Sequence, residues 1–551
     1  MDKRNAAWTV MVYLAGDNNL TTECLFALTE MQQAEIGKRV NVIAQFDPYD
    51  PHLPTHRYEI QRRGKKSSFR HDIIDRACYV RDYGEIKFDH ESKCAQELAE
   101  ERKREREYRC SAWDYAYLAG SPQQNEVITD DTDTGSPVTL YNFISFCIEK
   151  YPADQYLVVL SGHAGGTERD YLMRDESSAG SLTFNELKYV FAQVRKDLGK
   201  PIDILGMDNC LMSMTEICYE LRGSVEIVVG CESFSPASGW PYREVLERLA
   251  RDFVEPELPE EQSVAEAAAR AIVEEYVNYY SNYWIAGLSV TQSALNVCKV
   301  ERLRELVEKL GRVMEERLVE EWEQRRANRA GSAGRQFHDA LLLAHWEAQS
   351  YNGEQFVDLY DFCDCLEARM IGGPIVKQCR AVKDFLTSEF VLTSCYSGAA
   401  YQYSYGVSLY FPWSHVAPSY WNLDFIKDSK GAGWGSFLET YTLLTRRTPR
   451  GVDAESSLAT LLHGTIEGRL VTVRMGPDRM GPDRMGPDRM GPDRMGPDRM
   501  GPDRMGPDRM NSGVARNYIH SMRNPPEVFF PDECIRKRHS TLVTQETLLL
   551  Q

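Results

Sequence analysis

The sequence predicts an α/β protein built on a mostly parallel sheet with helices on both faces. Three observations carry that expectation. Short apolar runs alternate with amphipathic segments along the first 230 residues. The runs YLVVL (156–160) and IDILGM (202–207) are apolar almost throughout rather than at every second position, which is the mark of strands covered on both faces. Hydrophobic residues make up 42% of the chain and charged residues 26%, enough to bury a large core.

Taken in order, WTVMVYLAG (8–16) is short and rich in strand formers, which favours a buried strand over the signal peptide that Lys3 and Arg4 ahead of it and Ala15 and Gly16 at its end imitate. A helical segment near 22–36 follows, then the strand VNVIAQFD (40–47). From about residue 62 to 124 the pattern breaks. Within that stretch, 97–109 holds ten charged residues in thirteen, with pairs such as Glu100/Arg104 and Glu105/Arg109 that support an exposed helix on a surface insertion. Alternation resumes with a helix at 140–150, a strand at 155–162, a helix at 183–197, a strand at Ile202–Asp208, a helix at 212–221 and a strand at Val225–Gly230. Ser263 with Glu266 forms a capping-box signature ahead of a second long helical region, and Leu303, Leu306, Val307, Leu310 and Met314 follow helical spacing. The aromatic and β-branched stretch 389–412 reads as strands returning to the sheet.

Globular character ends near Thr445, and residues 446–551 form a tail. In it the pentad MGPDR repeats seven times over 475–509. Glycine and proline in every unit exclude a regular helix or a ladder strand, so the tract reads as a flexible, turn-rich product of duplication.

Composition narrows the function. With 64 Lys+Arg against 82 Asp+Glu the formal charge is −18, which argues against a general nucleic-acid binder. No apolar run approaches the roughly 18 residues of a membrane-spanning helix, so no membrane role is expected. Fourteen scattered cysteines do not make a disulfide framework, and Cys363 and Cys365 form only a C-x-C, a weak metal signal. The expected compartment is the cytoplasm.

Two strand ends carry chemistry. YLVVL leads into SGHAGG, which puts His163 in a glycine-bracketed turn, and IDILGM leads into Asp208, Asn209 and Cys210 ahead of a helix. Consecutive parallel strands are often neighbours, so an imidazole would lie beside a thiol whose pKa a helix N-terminus would depress. A core cysteine and a turn histidine remain the alternative at this point.

These residues carry a resemblance. WTVMVYLAGDNNL (8–20), DTGSPVTLYNF (133–143), YPADQYLVVLSGHAGG (151–166), IDILGMDNCLMSMTEICYEL (202–221), ESFSPASGWPY (232–242) and YGVSLYFP (405–412) together resemble the clostripain-like cysteine peptidases, relatives of caspases, gingipains and separase. The resemblance spans about 6–445, interrupted by the charged insertion. It implies a caspase-like α/β/α sandwich and a peptidase with a His/Cys dyad at His163 and Cys210. Asp208 would be the carboxylate selecting Arg or Lys before the scissile bond, and the backbone N–H groups of Ala164 and Cys210 would form the oxyanion hole.

Three departures from the family pattern stand out: Ala164 where glycine is usual, Asn209 where a small residue is common, and Ser238 where many members have a second acid. The last should weaken basic selectivity. Relatives often mature by self-cleavage after a basic residue following the histidine, which points to Arg169 and Arg174. The resemblance implies no cofactor for the chemistry. Some relatives need calcium, and Asp130, Asp131 and Asp133 cluster in a turn, but without a calcium-loop spacing they assign no metal ligand. The implied partner is a protein or peptide substrate, with the insertion or tail available to a regulatory protein. Two alternatives stand beside hydrolysis: a catalytically silent scaffold, against which the presence of both dyad residues counts, and peptide ligation through the same acyl-enzyme.

Overall fold

The computed structural model describes residues 6–49, 55–60, 126–127, 133–259, 262–281, 289–327, 336–352, 355–413, 415–429, 433–446 and 527–529. The charged insertion at about 62–124 and the MGPDR repeats lie outside the described residues, as do Asp130 and Asp131.

The first apolar run is strand β1 (Ala6–Gly16), and it lies inside the sheet between β2 (Val40–Pro48) and β5 (Ala153–Ser161), parallel to both. Its apolarity on both faces has a direct cause. Met11, Tyr13 and Ala15 enter one core while Val10, Val12 and Leu14 enter the other, as the two-residue period of a strand requires. The first core is closed by helices Pro137–Lys150, Phe184–Leu198 and Val300–Ala327, and the second by Thr21–Gln33, Tyr242–Asp252 and Val264–Ser281. The predicted α/β/α sandwich is therefore the architecture found.

Strands β6 (Ile202–Asp208) and β7 (Val225–Gly230) continue the parallel set beyond β5. β8 (Val290–Asn296) and β11 (Val391–Ser397) add antiparallel strands on that side, and β13 (Glu527–Phe529) pairs with β11. On the far side β3 (His56–Glu59) and β4 (Glu126–Val127) add two more antiparallel strands after β2. From β1 the chain builds outward to β2 in one direction and to β5, β6 and β7 in the other. The ends of β1 and β5 thus flank a topological switch point, where open α/β sheets place their sites.

Local signals fixed several boundaries. Thr183 caps its helix through a capping box, its hydroxyl accepting the Glu186 N–H while the Glu186 carboxylate accepts the Thr183 N–H at 2.8 Å. Ser263 accepts the Glu266 N–H at 3.0 Å, the expected half of the same motif. Leu303, Val307, Leu310 and Met314 are buried along one side of helix Val300–Ala327.

Two expectations are corrected. The helix expected from Met212 begins at Thr215, because Leu211 takes a left-handed φ of 62° and Met214 forms a bridge with Ser408, leaving 209–214 as an irregular turn. Only β11 of the 389–412 stretch returns to the main sheet. β12 (Ser408–Tyr410) instead joins β10 (Phe356–Asp358) and β9 (Ser350–Tyr351) in a separate antiparallel sheet that packs over the end of the β6 turn.

Candidate active site

The ladder between β5 and β6 sets the site. Its last register pair is Ser161 with Asp208, extended by a Gly162 N–H to Asp208 carbonyl bond of 3.4 Å. His163 and Cys210 each stand two residues beyond that pair, on strands whose axes are about 4.8 Å apart. The sheet therefore delivers the imidazole and the thiol to the same level of the same edge.

Each is held by a neighbour that spacing did not reveal. His163 Nε2 lies 2.6 Å from Asn19 Oδ1, in the turn that leaves β1, and the His163 carbonyl accepts the Met173 N–H. An amide oxygen accepts, so Nε2 carries the hydrogen and Nδ1 keeps its lone pair for proton transfer. Asn18 fixes that turn by donating to the carbonyls of Ala15 and Arg174 at 3.0 and 2.8 Å. Burial holds the imidazole below its usual pKa, and the positive charge of Arg174 adds to the effect.

Cys210 Sγ accepts the Ser235 N–H at 3.3 Å. The turn around it is stitched to the stretch following β7: Leu211 N–H donates to Ser233, and Met212 and Ser213 both donate to the Cys231 carbonyl. Burial pushes the thiol up to about 11, and the charge of Asp208 pushes the same way, while the Ser235 N–H opposes them. This corrects the expected depression. The helix starts five residues later, at Thr215, so its dipole is too far off to stabilise a thiolate. At neutral pH both shifts favour the uncharged forms, a thiol and an imidazole.

Asp208 does not cap a helix. It is buried, and its Oδ2 accepts the Ser161 and Tyr242 hydroxyls at 2.9 and 2.8 Å, while a backbone N–H of Trp240 points at the same carboxylate. Oδ1 is buried with no hydrogen-bond partner among the described residues. Burial raises this carboxyl to about 6 against the pull of those donors. Gly239 covers it at a φ of 68°, and a Cβ there would lie 2.7 Å from Oδ2, so the close approach requires glycine. Ser238, where many relatives have an acid, pairs with the Tyr280 hydroxyl at 2.9 Å, and that hydroxyl also donates to the Gly239 carbonyl.

Ala164 keeps an ordinary negative φ and bridges to Leu172, leaving its own N–H and that of Cys210 unused by other backbone groups among the described residues. Arg169 closes a short helix, Gly166–Arg169, and interacts with the Tyr171 hydroxyl. Arg174 is exposed just ahead of the exposed run 176–179.

Asp133 accepts the Gly135 N–H at 2.8 Å and is not itself a member of the carboxylate group that could hold an ion among the described residues. Instead Asp17, Asp47 and Asp175, all buried, bring carboxylate oxygens within 4.8 Å of one another. Hard oxygen donors of this kind suit a divalent cation such as calcium. Thr134, Ser178 and Thr55 donate to Asp175 and Asp47 and orient them. Cys363 and Cys365 are buried in helix Leu359–Glu367 and belong to no such group among the described residues. No helix among the described residues is long and apolar enough to cross a membrane.

Sequence spacing missed Asn19, Ser235, Tyr242 and Tyr280. The DNN run after β1 and the SFSPASGWPY stretch were the signals that could have found the first three.

A thiol and an imidazole level with each other on adjacent strand ends of an α/β/α sandwich place the protein in the class of cysteine peptidase folds. The clostripain family model matches residues 12–441, and the chain belongs to that family, whose members are cysteine endopeptidases. Clostripain of Hathewaya histolytica is 23% identical over 137 residues, which are 22% of this chain and 25% of that protein, so the chain matches a quarter of that relative's length. Among solved structures, a secreted C11 cysteine protease from Bacteroides thetaiotaomicron in complex with an irreversible peptide inhibitor is similar with a TM-score of 0.48 and 14% identity, covering 79% of this chain and 99% of that one. An inactive zymogen C11 protease from Parabacteroides distasonis gives 0.47 and 18%, covering 78% and 99%.

Proposed function

We propose that this chain is a cysteine endopeptidase that cleaves after Arg or Lys, with Cys210 as nucleophile and His163 as acid and base. The supporting observation is the β5/β6 register, which sets both residues two positions past the Ser161/Asp208 pair. Because thiol and imidazole are both neutral at rest, the thiol proton passes to His163 Nδ1 as Sγ attacks the peptide carbonyl carbon. The oxyanion that forms is met by the Ala164 and Cys210 N–H groups. The imidazolium then protonates the leaving amine, the C–N bond breaks, and an acyl-thioester remains. Water attacks that thioester, giving its proton to His163, and the thiol is restored as the acid product leaves. Asn19 keeps the ring in the required tautomer throughout.

Asp208 Oδ1, buried and open to a donor, suits the guanidinium or ammonium group of the residue before the scissile bond. With one carboxylate and a Ser238–Tyr280 pair in place of two acids, the selectivity is weaker than a doubly acidic pocket would give. For self-processing the better-placed site is Arg174, which is exposed beside an exposed run, whereas Arg169 is tied into a helix end and to Tyr171. Calcium bound by Asp17, Asp47 and Asp175 would brace the end of β1, where Asn18 and Asn19 sit, against the segment after His163. Fourteen scattered cysteines that make no disulfide framework suit a reducing cytoplasm. A regulatory partner for the insertion or tail belongs to the same proposal, as does the absence of a nucleic-acid partner from so acidic a chain.

The test is a panel of peptides differing in the residue before the scissile bond, offered to the parent and to Cys210→Ala with product masses recorded. Hydrolysis products after Arg and Lys from the parent alone are expected. Joined peptides would replace hydrolysis with ligation, and silence from both proteins on every peptide would favour the scaffold.

A further inference from the structure

Two carboxyl groups are buried face to face outside the catalytic pair. Glu232 follows β7 by two residues and Asp358 ends β10, and both are shut off from solvent. Asp358 caps helix Leu359–Glu367 by accepting the Asp361 N–H at 2.7 Å, and its second oxygen accepts the Tyr405 N–H at 2.5 Å. Glu232 Oε2 accepts the next amide along, Gly406 N–H, at 3.0 Å. Two carboxyls from different layers thus grip two consecutive amides. Gly406 can sit between them because its φ of 109° is open to glycine and a Cβ would press on Ser293 and Ser394 at about 3 Å.

The remaining Glu232 oxygen, Oε1, is buried and has no donor among the described residues. Glu232 and Asp358 are close enough for their carboxyl groups to share a hydrogen bond. Among the described residues, the titratable groups that interact with the pair are Asp361 from the first turn of the helix, Tyr351 from β9, Cys231 next to Glu232 and Cys363 from the helix that Asp358 caps. Tyr351 bonds to Glu232, and its hydroxyl also lies 2.6 Å from that of Ser404. Neither Glu232 nor Asp358 forms an ion pair among the described residues. Burial raises both groups above the usual carboxylate range; at Glu232 the charge and hydrogen bond of Asp358 add to it, and at Asp358, raised to about 7, the charge of Asp361 adds to it while the hydrogen bond from Glu232 opposes it. A hydrogen bond between two carboxyl groups requires one of them to carry a proton.

Glu232 lies in the segment that wraps the nucleophile. On either side of it, the Cys231 carbonyl accepts from Met212 and Ser213 and the Ser233 carbonyl accepts from Leu211. Two residues beyond, Ser235 N–H reaches Cys210 Sγ at 3.3 Å. From the other layer, Ser408, just after the gripped amides, donates to the Ser213 carbonyl at 2.9 Å. The carboxyl pair is therefore the joint between the small β9–β10–β12 sheet and the turn that presents the thiol.

We propose that the proton shared by Glu232 and Asp358 holds the 231–235 segment against Cys210, making both carboxyls positioning residues for the nucleophile. The proposal rests on Cys210 being that nucleophile. Loss of the shared proton turns the joint into a repulsive contact and draws the Ser235 N–H away from the thiol. An alkaline loss of kcat follows, and the thiol itself, held near 11, does not supply it at lower pH.

The test uses the full chain and its variants Glu232→Gln, Asp358→Asn and Cys210→Ala, following kcat and KM on an arginyl peptide from about pH 6 to about pH 10, with melting temperature read at each pH. Gln keeps an acceptor for Gly406 and supplies a permanent donor to Asp358. Glu232→Gln should therefore retain kcat within about threefold at neutral pH and move the alkaline limb up by about a unit or more, with KM unchanged. The parent's melting temperature should fall as pH rises above the usual glutamate range, because the folded state keeps a proton that the unfolded chain has lost, and Glu232→Gln should flatten that slope. Superimposable kcat profiles and melting slopes in parent and Glu232→Gln would overturn the positioning role, and with Cys210→Ala inactive they would leave the peptidase reading standing. Cleavage by Cys210→Ala at the parent's rate would overturn both. If Glu232→Gln proves too unstable to assay, Asp358→Asn is read by the same profiles.

Discussion

The ends of β5 and β6 are neighbours in one ladder, yet they are held in different ways. The β6 end is enclosed. Asp208 sits under Gly239 and between two hydroxyls, and Cys210 is wrapped by the 231–235 segment. The β5 end opens to solvent through Arg174 and the 176–179 run, and it carries three non-glycine residues at left-handed φ, Asp170, Met173 and Ala179. Left-handed conformations in such residues cost energy and concentrate at functional segments. Cys210 and Asp208, the proposed nucleophile and selector, thus sit in the enclosed wall, while His163, the proposed acid and base, is held by Asn19 and has the exposed Arg174 of the proposed processing site on its own loop.

Substitutions can break or sharpen this contrast. The largest effect is expected at Cys210→Ala and His163→Ala, each lowering kcat/KM by about a thousandfold or more in a peptide assay while leaving the melting temperature near that of the parent. Next comes the selector: Asp208→Asn should cut kcat/KM for an arginyl peptide by about ten- to a hundredfold, with a much smaller change for an uncharged one. In the parent, that preference for arginine should build as pH rises through about 6, as Asp208 ionises. The stability sign runs the other way. The folded carboxyl keeps its proton where the unfolded one has lost it, so Asp208 makes the protein less stable as pH rises from the usual aspartate value through about 6, and urea titrations of parent and Asp208→Asn at several pH values would show it.

Smaller effects follow on the open side. Asn19→Ala should lower kcat about tenfold with KM little changed, since ring orientation and tautomer are lost but substrate contacts are not. Arg174→Gln should raise the pKa of His163, visible as a shift of the acid limb of kcat/KM, because it removes a positive charge that opposes protonation. Ala164→Gly should change kcat by less than about twofold, because Ala164 already has an ordinary backbone.

Much of the frame was legible in the sequence for physical reasons. β1, β5, β6 and β7 are buried on both faces, so their apolar runs read as strands, although that of β1 also imitates a signal peptide, and β6 and β7 were located to the residue. β8 was not legible. Its Thr291, Gln292 and Ser293 are polar yet buried, satisfied by partners such as Glu232 N–H, the Ser213 hydroxyl and the Gly406 carbonyl that only the folded chain supplies. The site divides the same way. His163, Cys210 and Asp208 follow strands, where a residue's position is set by counting. Asn19, Ser235 and Tyr280 reach the site from turns and a distant helix, where spacing carries no such information. The state of the thiol was misjudged because the helix start was misplaced by three residues. Leu211 at a positive φ gave no warning in the sequence.

The central claim is that the sheet register makes Cys210 the nucleophile beside a basic-residue pocket. Its most direct test is to treat the protein with an arginyl peptide haloketone and locate the adduct by mass spectrometry, with the uncharged analogue and His163→Ala in parallel. The account expects one adduct, on Cys210, formed in step with loss of cleavage, faster for the arginyl reagent and slow in His163→Ala. Inactivation with Cys210 unmodified, or modification of Cys210 that leaves cleavage intact, would contradict it.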